Sequence, residues 1–283
     1  MMRPSYFHNM LSHEWVPRYF LRVLHQYLAT VLLILGTLVN SASAQDSKAE
    51  DAYEAAAGLF NLGLWEQAAT AYKEYFKKHP GHTLAGHAHY GLGLCYFNMK
   101  QYAPAARELK SAASSKGPDR VEANLYLGQS LMLKAPVAPR DAENAFEAGL
   151  KAMGFAKKGF IDREWDEGSV TQWLEKESGK KNRQLAADVF KGLLEATYLR
   201  ENWKSVVEKV GAFEGLIKGS PIEQRTRVLV GEAHERLGGF KEAATAYETA
   251  SILRGVDASE ALFRLGLVRL NHLKDYEGAA KSF

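Results

Sequence analysis

The chain has 283 residues, 24% of them charged, and a formal net charge of only +3, which allows one large domain or two smaller ones and gives no overall charge bias. A single cysteine excludes a disulfide-stapled fold. No basic stripe interleaved with aromatics marks a nucleic-acid surface, and the short clusters Lys157-Lys158 and Lys180-Lys181-x-Arg183 read as solvated faces.

Residues 1–44 have the layout of a secretory signal. Arg3, Arg18 and Arg22 give a basic start, Tyr27 to Val39 is apolar, and Ala42-Ser43-Ala44 forms a small-x-small cleavage site before Gln45. The long basic region leaves Met10 as a second start. The apolar run falls short of the about 20 residues of a membrane span, so the mature chain is expected to have no integral membrane span and to be exported, periplasmic or secreted. No cysteine follows the run, which argues against a lipid anchor. Cleavage would remove three arginines and one glutamate and leave the remainder close to neutral.

Beyond the leader a pattern recurs. Ala52, Ala55, Ala56 and Leu59 follow helical spacing, as do His89, Leu92, Gly93 and Tyr96. Each stripe precedes an aromatic-x₂-Ala-x₃-apolar unit: Trp65/Ala68/Tyr72 and then Tyr102/Ala105/Leu109. The same pairing returns as Leu127-Gly128 with Ala142 and Phe146, where Pro139 replaces the aromatic, and as Trp203/Val206/Val210. Val230-Gly231 with Phe240/Ala243/Tyr247 and Leu265-Gly266 with Tyr276/Ala279/Phe283 complete the series. Trp65 to Tyr102 and Trp203 to Phe240 are each 37 residues apart, a period that predicts an all-α solenoid of antiparallel helix pairs. Small residues (Gly93, Gly128, Gly231, with Ala105 opposite) let the paired helices approach, and Gly63 and Gly238 suit the tight reversal between them.

These residues resemble the tetratricopeptide repeat. The stretch from Tyr72 through Tyr102, with Phe76-x-x-x-Pro80 and Ala85-x-x-Ala88-x-Tyr90-x-Leu92-Gly93, looks like envelope members of that family, such as the periplasmic Tol–Pal-associated adaptor and repeat lipoproteins of outer-membrane assembly. The resemblance implies a right-handed superhelix that binds protein or peptide partners and does no chemistry. It divides the mature chain into a block of about three repeats over 48–152, an insertion over 153–182 and a second block of about three over 183–283, the last truncated. The Lys/Asn carboxylate clamp of chaperone-binding members is replaced by Tyr and Ala.

First helices of such repeats line the concave groove. Tyr53/Tyr90, Phe60/Phe97 and Asn61/Asn98 are each 37 apart and present the same chemistry twice; Leu125, Gln129 and Met132 continue it. The later groove is charged, with Lys191, Glu195, Tyr198, Glu232, Glu235 and Arg236. In the insertion a short helix is expected from Ser169, with Gln172 in capping-box spacing. Trp165 and Trp173 there either pack over the joint between the two blocks or contact a partner.

No catalytic, cofactor or metal site is expected. There is no G-x-S-x-G, phosphate-binding glycine loop or H-E-x-x-H. His87 and His89, two apart on a helix, face away from each other, which weakens the cluster His79, His82, His87 and His89. The acidic run Asp162, Glu164, Asp166 and Glu167 reads as a solvated loop, and Cys95 as a small buried hydrophobe. Lys281-Ser282-Phe283 stops inside a second helix with no polar cap, so the chain is expected to continue into further sequence or to be covered by another chain. The expected role is an exported adaptor; the alternatives are the targeting part of an enzyme whose catalytic domain lies past Phe283, or a binder of envelope glycans.

Overall fold

A computed structural model describes residues 45–115, 117, 119–158 and 164–283. The leader expected over 1–44 and Asp162 of the acidic run lie outside the described residues. The chain divides into two compact units, 1–51 and 52–283. Of the first, 45–51 are described and helical.

The second unit is a solenoid of helix pairs. Helix α1 (52–61) pairs with α2 (Trp65–Lys78), α3 (Ala85–Asn98) with α4 (Tyr102–Ser114), and α5 (Arg120–Leu133) with α6 (Pro139–Met153). Helices α7 (Glu167–Glu175) and α8 (Glu177–Lys181) occupy the insertion. The pairing resumes with α9 (Arg183–Leu199) and α10 (Trp203–Ala212), a short α11 (Glu214–Ile217), then α12 (Glu223–Leu237) with α13 (Phe240–Ile252). Helix α14 (Ala258–Val268) runs through a π-helical turn, Arg269–Leu273, and pairs with α15 (Tyr276–Ser282). No strand occurs among the described residues; Lys157 and Trp165 form an isolated antiparallel bridge.

The reversals explain the period. Residues 63, 100, 201, 238 and 274 all adopt left-handed backbone, with φ of 75°, 59°, 55°, 78° and 57°. Each lies two residues before the first residue of a second helix. At the first four, the next N–H reaches five residues back, as from Leu64 to Leu59 O at 3.0 Å and Gln101 to Tyr96 O at 2.8 Å. The left-handed residue itself donates three residues back, as from Gly63 to Phe60 O at 2.9 Å. That pair of bonds satisfies carbonyls the helix end would otherwise orphan. Gly63 and Gly238 occupy such sites without strain, whereas Lys100, Glu201 and Lys274 carry side chains there.

Close approach sets the packing. Ala68, Ala105, Ala142, Val206, Ala243 and Ala279 are all buried. A Cβ on Gly93 would stand 2.6 Å from Leu109 Cγ, and one on Gly231 would stand 2.6 Å from the Tyr247 ring. Nothing larger than glycine fits where these helices cross. A continuous core runs from Leu125 and Phe146 through Phe190 and Leu193 to Phe213 and Leu229.

The insertion joins that core. Phe155 lies 4.6 Å from Trp173 and 5.4 Å from Phe213, and Trp165 lies 5.4 Å from Phe213, centroid to centroid. The Trp173 indole donates to Met153 O at 2.7 Å. The two tryptophans are 3% and 5% exposed, which agrees with the first of the two readings, packing over the joint, and leaves little of their apolar surface for a partner. The short helix also starts earlier than Ser169. Asp166 is the cap, accepting from the N–H groups of Gly168 (3.3 Å) and Ser169 (3.0 Å); its carboxylate satisfies two orphan donors and its charge suits the helix N-terminus.

Candidate functional site

The first helices α3, α5 and α9 share a cleft of about 470 Å³. Phe97, Leu125, Tyr126 and Met132 supply apolar surface, and Gln129, Asp188, Lys191 and Glu195 supply polar groups. The sequence-derived groove residues Phe97, Gln129 and Met132 thus meet in one place. Phe146 from α6 closes the floor; a Cβ on Gly128 or Gly192 would each stand 2.4 Å from its ring.

The other groove residues lie elsewhere. Tyr53 packs on Tyr72, Tyr75 and His87 at 6.1, 6.3 and 6.4 Å, and Phe60 sits edge-on to Trp65 at 4.9 Å. Tyr90 lies 6.4 Å from Tyr126, and burial pushes its phenol well up from the ordinary range. Asn61 is exposed. Asn98 is exposed and donates to Leu94 O of its own helix at 3.0 Å.

Tyr126, like Asp188, is a cleft residue that sequence reasoning missed. Its ring lies 5.1 Å from Phe97. The third pair runs on a shorter spacing than 37, so Tyr126 has no counterpart at that period; its one signal was an aromatic beside Leu125. At the far wall, Lys191 reaches Glu195 at 4.0 Å. Burial raises the Glu195 carboxyl, and Lys191 and Arg225 pull it back only in part. Further along, the expected charged groove is satisfied internally: Glu232 accepts from the Tyr198 hydroxyl and pairs with Arg264 at 2.5 Å. Burial, then the bond to Glu232, pushes the Tyr198 phenol up to about 12.

The histidines take separate partners. His87 bonds Asp119, His89 bonds Glu108 at 2.8 Å, and His82 bonds the Tyr75 hydroxyl at 2.9 Å. Among the described residues no group of three His, Cys, Asp or Glu is placed to hold a metal ion. Cys95 is buried, and desolvation pushes its thiol up to about 12, leaving little thiolate at neutral pH. No helix among the described residues is long and apolar enough to cross a membrane.

Stacked helix pairs with a cleft along their first helices define a repeat scaffold. The tetratricopeptide-repeat family profile matches residues 53–113 and 230–283, segments that span α1 to α4 and the end of α12 through α15, so these parts of the chain are similar to that repeat. One solved structure agrees on the fold: the assembly chaperone of RpL4, Acl4, is 14% identical with a TM-score of 0.53, over 82% of this chain and 88% of that one. The MamA protein (15% identity, TM-score 0.49, 71% of this chain and 88% of that one) is also similar. So is PilF of Pseudomonas aeruginosa (12%, 0.48, 84% and 90%). A search of curated protein sequences finds no match.

Proposed function

We propose that the chain is an exported, non-catalytic scaffold of the cell envelope that holds a peptide segment of a partner protein in the cleft between α3, α5 and α9. The observation that carries this reading is the convergence of Phe97, Tyr126 and Met132 beside Gln129, Lys191 and Glu195. Apolar and aromatic side chains give contact area at low entropic cost, and the amide and the charged pair can meet a peptide backbone and its polar side chains. Export rests on the basic start, apolar run and small-residue site within residues 1–44.

Replacing Phe97→Ala together with Met132→Ala should lower partner capture from envelope extract by at least about tenfold, as loss of central apolar anchors does, while helix content by circular dichroism stays unchanged. Unaltered capture by a folded double variant would refute the cleft assignment. Export is tested separately by fusing residues 1–44 to a reporter that is active only outside the cytoplasm; an inactive fusion removes the envelope location and leaves the cleft reading standing.

A further inference from the structure

Helix α5 carries a second cleft on its opposite face. Leu125, Gln129 and Met132 face the first cleft; Arg120, Asn124, Leu127, Leu131 and Lys134 line the other, about half a turn away at 3.6 residues per turn. The second helices α4 and α6 both pack on α5, and the three together leave an open trough of about 760 Å³. Its walls are small, with Ala106 and Ala113 from α4 and Ala145 and Ala148 from α6, and its floor is Leu127 and Leu131.

The rim is cationic. Arg107, Lys110, Arg120 and Lys134 face one carboxylate, Asp141. None of the four forms an ion pair among the described residues, whereas Lys157 pairs with Glu147 at 2.9 Å and Lys209 with Glu143 at 3.1 Å. Four unneutralised cations around an apolar trough form a complement to an anionic, partly apolar ligand.

We propose that this trough docks an acidic amphipathic helix of a partner protein. Its Leu or Ala side chains at i, i+3, i+4 and i+7 enter between the alanine walls, and Glu or Asp on its flanks meet Arg107, Lys110, Arg120 and Lys134. Helical walls have no free backbone groups to offer an extended strand, which disfavours a peptide in that form. The trough lines no aromatic for bases to stack on, which disfavours single-stranded nucleic acid. The site is independent of the first-helix cleft.

The test uses the full chain and a fluorescein-labelled peptide of about five helical turns with Leu at i, i+3, i+4 and i+7 and Glu elsewhere, a scramble of the same composition, and a single-stranded oligonucleotide. The acidic helix should bind, and added salt should weaken it. Arg107→Glu with Lys110→Glu should weaken it by on the order of tenfold through like-charge repulsion. Both residues are exposed, so folding is spared. Ala148→Leu, which fills the trough without changing charge, should also weaken binding, and Phe97→Ala with Met132→Ala should leave it intact. No binding, equal binding of the scramble, equal binding of the oligonucleotide, or indifference to charge reversal would each overturn the proposal. Self-association lost on charge reversal would overturn it too, giving the trough to a second copy of the chain.

Discussion

Between α3, α4 and α5 the contacts are small and apolar, with Gly93 against Leu109 and Ala105, Ala106 and Leu127 in one cluster. Between α6, α9 and α10 a charge is buried instead. Glu143 on α6 accepts from Lys209 Nζ and Thr197 Oγ1, each at 3.1 Å, and pairs with Arg200. The first region stays close to the repeat period and locks its helices mainly by shape, beside the part-exposed His89–Glu108 and His87–Asp119 bonds. The second is where the insertion interrupts that period, and there a buried ion cluster and the Trp165/Trp173 packing hold the register. Regular repeats are stabilised by close approach, and the joint by groups that are costly when left unpaired.

Breaking the joint should have the largest effect. Glu143→Ala leaves Lys209 buried without its counter-ion and should cost about 3–5 kcal/mol in urea unfolding; Lys209→Met in the same chain should recover part of that loss. On the regular side, Ala105→Leu overpacks a helix crossing and should cost about 1–3 kcal/mol. Near-equal losses for the two variants would dissolve the contrast.

Acid titration sharpens it. Burial alone would raise the Glu143 carboxyl, but Lys209 and Arg200 outweigh it and hold the group below its ordinary value of 4.5. Its contribution is therefore complete above that value and lost as pH falls through the lowered folded value. The stability gap between the unmodified chain and Glu143→Gln should narrow as pH falls below the ordinary carboxylate range, while the gap for Ala105→Leu should stay constant. The smallest change is at a turn: Lys100 has φ 59°, and Lys100→Gly should raise stability by a few tenths to about 1 kcal/mol, relief of strain offset by glycine's entropy in the unfolded chain.

What could be read from the residues tracks this division. Gly93, Ala105, Ala243 and their aromatic partners announce the helix pairs because close packing leaves little choice of residue. The turns at Lys100, Glu201 and Lys274 were silent, since the left-handed conformation there is imposed by the flanking helices and not by glycine. Glu143 and Lys209 carried no signal in the sequence, because nothing local links a carboxylate on α6 to an ammonium four helices later on α10. Phe97, Gln129 and Met132 followed from periodicity; Tyr126 entered the cleft through the shorter spacing of the third pair, and Asp188 through the shift that the insertion imposes on α9, neither of which a repeat rule carries.

The most direct test of the scaffold role is a photo-crosslinking residue placed at Gln129, in the cleft, and separately at Glu277, whose side chain is 82% exposed, each in the full chain expressed in its own cells. The predicted result is one discrete protein adduct from position 129, absent from position 277 and lost when Phe97→Ala and Met132→Ala are added. No adduct from position 129, or the same adducts from both positions, would contradict it.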